Sequence, residues 1–331
     1  MVAVRTRPDR AVARPDGSGP PSAAAGRRAQ PEQTRARNPD ETGVIERDGV
    51  HVAWERYGDG SPTILLLPTW SIIHSRHWKA QIPYLARHHR VVTFDGRGNG
   101  RSDRPTTVAA YDDTEFAADA IAVLDATGTD RAIIAGLSMG AGYALQTAVR
   151  YPDRVSGAIF VGPSVGLGDP IPRAGVVPFH EVPPTFDGWS RYSAAGWRHD
   201  WGAFAEFFFS QVFNEPHSTK QIEDAVDWAL DTDPETIITG EDAAYLARLE
   251  ADGSAEKATL GYARRVRCPS LVIHGDADAI THVSAGRRLA EALGARLVIL
   301  AGSGHNPLGR EPVKVNLLIH EFMQGIARSS R

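Results

Sequence analysis

The sequence predicts an α/β protein built on a mostly parallel sheet, with helices on both faces and a helical insert late in the chain. Three observations predict it. From Val44 onward, short apolar runs of strand length alternate with segments of helical period, and strands that alternate with helices pair in parallel. The stretch Arg131–Arg150, RAIIAGLSMGAGYALQTAVR, reads as strand, very tight turn and helix with one serine at the apex. Between Gly162 and Arg267 the alternation gives way to aromatic-rich helical stretches broken by Pro and Gly.

In chain order, Val50–Tyr57 alternates as a strand, and Asp59-Gly60 turns into a buried strand, Thr63–Leu67. Trp78–Ala86 reads as a helix and Arg90–Phe94 as a strand. Thr114–Thr127 places Phe116, Ala120, Val123 and Leu124 on one helical face, with Gly128 as its stop. Strand Arg131–Gly136 leads to the serine turn, and strand Val155–Val161 follows. After the insert come strand Ser270–His274, helix Val283–Leu293, strand Arg296–Leu300 and a last helix with Val315, Leu318, Phe322 and Ile326 on one stripe. Within the insert, Phe204, Phe207, Phe208 and Val212 share a helical face, and most of its aromatics are expected to pack the insert onto itself and the core.

The turn Gly136-Leu137-Ser138-Met139-Gly140 is a G-x-S-x-G elbow. It forces its serine into strained backbone geometry, while the glycines leave room for strand and helix to approach. Ala141, Ala144, Leu145, Ala148 and Val149 then fall on one face of the following helix. Ala132–Val149 carries no charge and is long enough to raise a membrane span. Its three glycines with Ser138, Gln146 and Thr147 make a poor lipid-facing helix, and strand, elbow and helix account for the same run.

At 331 residues and 42% hydrophobic content the chain fills a core as one large domain or a domain with an insert. A net charge of −4 argues against nucleic-acid and membrane-surface partners. The single cysteine, Cys268, excludes an intramolecular disulfide and a cysteine zinc cluster, and fits a reducing, cytoplasmic location. The first 40 residues lack Leu, Ile, Phe, Tyr and Trp and hold eight Arg against four acidic residues. That composition predicts a disordered tail, and no apolar segment in it makes a secretory signal. The expected division is a tail over 1–41, a first core part over 42–167, a helical lid over 168–266 and a second core part over 267–331.

Four motifs, in order, resemble the alpha/beta-hydrolase superfamily over about residues 44–327. They are Phe94–Ser102 (FDGRGNGRS), the elbow at Ser138, Leu271–Asp278 (LVIHGDAD) and Ala301–Pro307 (AGSGHNP). The branch of cofactor-free serine esterases and perhydrolase-type haloperoxidases is the most similar. The resemblance implies a nucleophile–acid–histidine order, with Ser138 as nucleophile, Asp278 as acid and His305 as base. A serine needs a base to take its proton, neutral histidine is poised to do so near pH 7, and a buried carboxylate fixes the imidazole tautomer. Asp276, nearer the strand, is expected to brace the loop. Of twelve histidines, His305 is the one in a Gly-rich loop directly after a predicted terminal strand. His74 and His77 form an H-x-x-H without accompanying ligands, and His88 and His89 read as solvated helix-end residues.

The family also implies an oxyanion hole from the backbone N–H of Met139 and of Trp70, although Pro68-Thr69 stands where the family has His-Gly. No cofactor or metal is implied. Ser rather than Asp at the elbow argues against epoxide hydrolysis and dehalogenation. The expected activity is hydrolysis of a small apolar or aromatic ester or lactone, by a monomer or homodimer acting on a small-molecule substrate. Two alternatives stay open: carbon–carbon hydrolysis, acyl transfer or peracid formation with the same residues, or ligand binding without turnover.

Overall fold

A computed structural model of the chain describes residues 36–250 and 255–329. The strands are β1 (Glu41–Arg47), β2 (Val50–Tyr57), β3 (Thr63–Leu66), β4 (Arg90–Phe94), β5 (Ala132–Leu137), β6 (Val155–Val161), β7 (Ser270–Gly275) and β8 (Arg296–Leu300). They form one sheet in the order β1-β2-β4-β3-β5-β6-β7-β8, antiparallel at β1–β2 and β2–β4 and parallel from β4 onward. The chain leaves β3 towards β4 on one side and returns past it to β5 on the other. Loops leaving such a switch point diverge and open a crevice at the carboxyl ends of the strands. Trp70 follows β3 there, and Ser138 follows β5.

The helices are α1 (Ile82–Leu85), α2 (Asp113–Ala126), α3 (Met139–Arg150), α4 (Ala194–His199), α5 (Trp201–Val212), α6 (Thr219–Ala229), α7 (Pro234–Glu250), α8 (Ala255–Ala263), α9 (Ser284–Leu293), α10 (Pro307–Arg310) and α11 (Pro312–Ser329). Because side chains alternate along a strand, the buried strands feed two cores at once. Leu65, Leu67, Ile134 and Val272 pack on one face with residues of α2, α3 and α9. Ile64, Leu66, Ile133, Leu271 and Ile273 pack on the other with α1 and α11. A third cluster joins Trp70, Ile72 and Ile73 to the insert through Trp197, Phe204, Phe208 and Ile238. α8 falls inside the stretch expected as lid, yet it lies against α3 and α9, and Ala263 joins the sheet-side core.

Several boundaries differ from expectation. Trp78–Ala86 is not one helix: a 3-10 turn covers Ser75–Trp78 and α1 starts afresh at Ile82, with Pro83 in its first turn. Proline has no N–H to donate and is tolerated only there. In α5, Phe209 is buried with Phe204, Phe208 and Val212, while Phe207 sits outside them against Trp189. Residues 1–35 of the expected tail lie outside the described residues. Within 36–41, Arg37 donates to the Ala86 carbonyl (3.1 Å), Asp40 accepts from the Gly58 N–H (2.5 Å), and Glu41 opens β1.

His77, beside the Trp70 loop, is buried with its Nδ1 3.0 Å from the His74 carbonyl oxygen. Burial pushes its imidazole down from 6.5 to about 4. The unfolded chain therefore binds the proton more tightly, and stability is lost as pH falls from about 6.5 towards 4. A depression of this size corresponds to a loss on the order of 3 kcal/mol by the acid end of that window. Thermal unfolding of His77→Gln is expected to show a shallower loss between pH 7 and 5 than wild type. Parallel pH profiles would rule His77 out as the source.

Candidate active site

The apolar run of β5 leads straight into α3, and Ser138 is the residue between them, at φ 56° and ψ −117°. The turn is held by the Ser138 N–H donating to Val161 O (2.9 Å), and by Ala141 and Ser164 N–H groups donating to Ser138 O (3.1 and 3.2 Å). The flanking glycines are required by approach. A Cβ on Gly136 would stand 2.0 Å from Gly140 O, and one on Gly140 2.3 Å from Pro68 O. Strand, elbow and the loop after β3 are thus in backbone contact. The Thr69 hydroxyl ties that loop down by donating to Leu137 O (2.7 Å).

The structure brings the three residues expected to share the chemistry into one chain. His305 Nε2 lies 2.9 Å from Ser138 Oγ, and His305 Nδ1 lies 2.8 Å from Asp278 Oδ2. A carboxylate only accepts, so Nδ1 carries the proton and Nε2 faces the serine as acceptor. Asp278 Oδ1 accepts from the backbone N–H groups of Ile280 (2.7 Å) and Thr281 (2.8 Å). Burial alone would push this carboxyl up. The adjoining His305 imidazole, with hydrogen bonds from His274, His305 and the Thr281 N–H, outweighs it and holds Asp278 well below the usual carboxylate range. Asp276 is exposed and accepts from the Gly302 N–H (2.6 Å), the bracing contact expected of it.

Sequence reasoning missed His274. It is fully buried, and its Nε2 lies 3.0 Å from both Asp278 Oδ2 and Thr281 O. Both partners only accept, so Nε2 carries the proton and Asp278 sits between two histidine N–H donors. Gly286 of α9 makes the room, since a Cβ there would come within 2.5 Å of His274 Nδ1. The signal available was a single histidine inside the otherwise apolar strand LVIHG.

Among the described residues, neither the Trp70 nor the Met139 backbone N–H donates a hydrogen bond. Met139 opens α3, whose amino end carries the positive pole of the helix dipole. The Trp70 side chain is buried under the insert, 5.2 Å from the Phe208 ring and 5.7 Å from Trp197. The FDGRGNGRS loop braces the Trp70 loop from below. Asn99 Nδ2 donates to Ser71 O (2.9 Å), Ser71 Oγ to Arg97 O (2.7 Å), and Ser75 Oγ to Asp95 Oδ1 (2.5 Å).

One expectation resolves differently. His89 is buried rather than solvated, with Nε2 2.9 Å from His320 Nδ1. His74 lies 3.6 Å from an Asp231 carboxylate oxygen and 3.9 Å from one of Asp95, and among the described residues no group of three or more His, Cys, Asp or Glu is placed to hold a metal. Among those same residues no helix is long and apolar enough to cross a membrane.

A family model described as alpha/beta hydrolase fold matches residues 62–312. A protein named as a carbamate hydrolase, RutD, from Caulobacter sp. (strain K31) is 28% identical over 255 residues, which cover 76% of this chain and 86% of its own. Among solved structures, Est816, described as an N-acyl homoserine lactone degrading enzyme, superposes with a TM-score of 0.66 at 26% identity, covering 85% of this chain and 100% of that one. A bromoperoxidase from Bacillus anthracis superposes with a TM-score of 0.69 at 21% identity, covering 86% and 100% respectively.

Proposed function

Since the chain belongs to the alpha/beta hydrolase fold family, we propose that it is a cofactor-independent serine hydrolase that cleaves a small apolar or aromatic carboxylic ester or lactone through an acyl-enzyme. The observation that carries this reading is the continuous contact from Ser138 Oγ through His305 to Asp278, at 2.9 and 2.8 Å, on a strained elbow. Ser138 Oγ attacks the carbonyl carbon as its proton passes to His305 Nε2, and Asp278 stabilises the imidazolium at Nδ1. The oxyanion is received by the N–H groups of Met139 and Trp70, beside the amino end of α3. His305 then returns the proton to the departing alkoxide. It next deprotonates a water that attacks the acyl carbon, and returns that proton to Ser138 Oγ as the acyl–Oγ bond breaks and the acid leaves.

The preference for apolar groups rests on what surrounds the serine. Met139 packs against both the sheet-side core and the insert cluster, and Ile280, two residues past Asp278, packs against the same insert cluster. Pockets lined this way favour apolar ligands fixed by a few polar groups. In this reading the insert is a lid, the protein acts on a small molecule as a monomer or homodimer, and its lone Cys268 suits a reducing cytoplasm.

A fluorophosphonate probe is expected to label wild type and to leave Ser138→Ala unlabelled; labelling that persists in the variant overturns the assignment. Short-chain nitrophenyl esters, a vinylogous diketone and an alcohol acceptor, assayed side by side, test the substrate class. Inactivity on every ester with turnover of the diketone would replace ester hydrolysis by carbon–carbon cleavage. Tight retention of ligand with no turnover on any of them would replace catalysis by binding.

A further inference from the structure

The insert does more than cover the crevice: just past α5 it reaches the two loops that carry Asp278 and His305. Glu215 Oε1 accepts from the Gly304 N–H at 2.7 Å, one residue before His305. Asn214 Nδ2 donates to Ala277 O at 2.9 Å, one residue before Asp278. The fit is close, since a Cβ on Gly304 would stand 2.4 Å from Asn214 Oδ1 and 3.2 Å from the Glu215 carboxylate. The pair is itself held from the histidine side. Arg310 of α10 donates to Pro216 O (2.9 Å) and His217 O (3.3 Å), and its Nε lies 3.9 Å from Glu215 Oε2. His217 adopts a left-handed φ of 64°, a strained state that persists only where its surroundings fix it.

We propose that Glu215, aided by Asn214, is a positioning residue that clamps the acid loop and the histidine loop from the insert, so that a seated insert is a condition for the chemistry. This rests on the reading of Ser138, His305 and Asp278 given above. Besides the His305–Asp278 contact, the two loops are joined by Ala277 N–H to Ser303 O (3.0 Å), Gly302 N–H to Asp276 Oδ1 (2.6 Å) and Asp276 N–H to Leu300 O (3.1 Å). The Ala277 bond holds the carbonyl edge of the Ser303–Gly304 peptide, and Glu215 holds the N–H edge of that same peptide, so the insert completes its fixation on the side next to His305. The Glu215 side chain is only 10% exposed, so its bond to Gly304 is largely sheltered from water.

The test compares Glu215→Ala with Glu215→Gln, whose amide oxygen still accepts from Gly304. Readouts are kcat and KM on a nitrophenyl ester that wild type turns over, and hydrogen exchange in the peptide spanning 301–310. Glu215→Ala is expected to lower kcat about 10- to 100-fold with KM little changed, because displacement of a reacting group by about an ångström has that effect. Exchange in 301–310 should speed up in that variant, and Gln should restore both readouts to near wild type. Wild-type kcat and exchange in Glu215→Ala, or a Gln variant as impaired as Ala, overturns the clamp. If Glu215→Ala does not fold, Asn214→Ala, which removes only the bond to Ala277, is scored by the same two readouts. Ester turnover that survives in Ser138→Ala overturns the serine-hydrolase reading instead, and the exchange measurement still decides on the clamp.

Discussion

Ser138→Gly is expected to end turnover and at the same time raise the melting temperature. Ser138 holds φ 56° and ψ −117°, a region that disfavours any side chain, and such strain costs about 1–3 kcal/mol. Glycine adopts this geometry freely but loses more chain entropy on folding, so the net gain is expected near 1 kcal/mol, or about 2 °C. Loss of the nucleophile should reduce kcat by about 10⁴- to 10⁶-fold. Ser138→Ala is the matched control, with the same loss of turnover but no relief of strain. Calorimetry and ester assays on the pair decide the matter. Equal melting temperatures for Gly and Ala would mean that the elbow stores no strain, and activity within about 100-fold of wild type would remove Ser138 as nucleophile.

The second large effect is structural. Gly136→Ala would set a Cβ 2.0 Å from Gly140 O, and the atom it meets is backbone, which cannot swing aside. Relief requires α3 to lift from β5, and that movement displaces the Pro68 carbonyl already packed against Gly140. A loss of at least about 4 kcal/mol is expected, at the exceptional end for one substitution. Gly142, two residues farther along the same helix, supplies the contrast. Its added Cβ would meet only Asp113 Oδ2 at 3.6 Å and Val165 Cγ1 at 3.9 Å, both ordinary contacts. Replacing glycine by alanine inside a helix typically gains up to about 1 kcal/mol, so Gly142→Ala should be neutral or stabilising. Urea unfolding of the two variants should differ by several kcal/mol, and similar midpoints would show that the elbow has slack.

The contrast between these glycines shows what the sequence makes legible. Ser138, Asp278 and His305 stand out because each sits at the carboxyl end of a strand, where local pattern and motif coincide, and the structure brings the three together. Strands β2, β4, β6 and β8 match their expected bounds residue for residue, since apolar strands between turn signals are locally coded. What escapes is set by contacts distant in sequence. His89 has no local sign of burial, which depends on His320 across the fold. The β1 strand is half exposed, and its pairing with β2, rather than its own periodicity, makes it a strand. Asn214 and Glu215 look like loop residues until the loops carrying Ala277 and Gly304 are brought beside them.

The placement of the insert also fixes a timetable. β6 ends at Val161, and its neighbour β7 begins at Ser270, so their pairing waits for residues 162–269 to be made. Closing this loop costs only slightly more than the β3–β5 closure across residues 67–131, because the cost grows slowly with length, but it has to wait for more chain. During synthesis the elbow strand can therefore pair with both its neighbours while β7 and β8 are still unmade. His305 follows Ser138 by 305 − 138 = 167 residues, which at roughly 5–20 residues per second is a delay of about 8–33 s. A nascent chain thus presents its serine hydroxyl with no imidazole to draw off the proton. In the reading proposed above, its activation waits until the last two strands close the edge of the sheet.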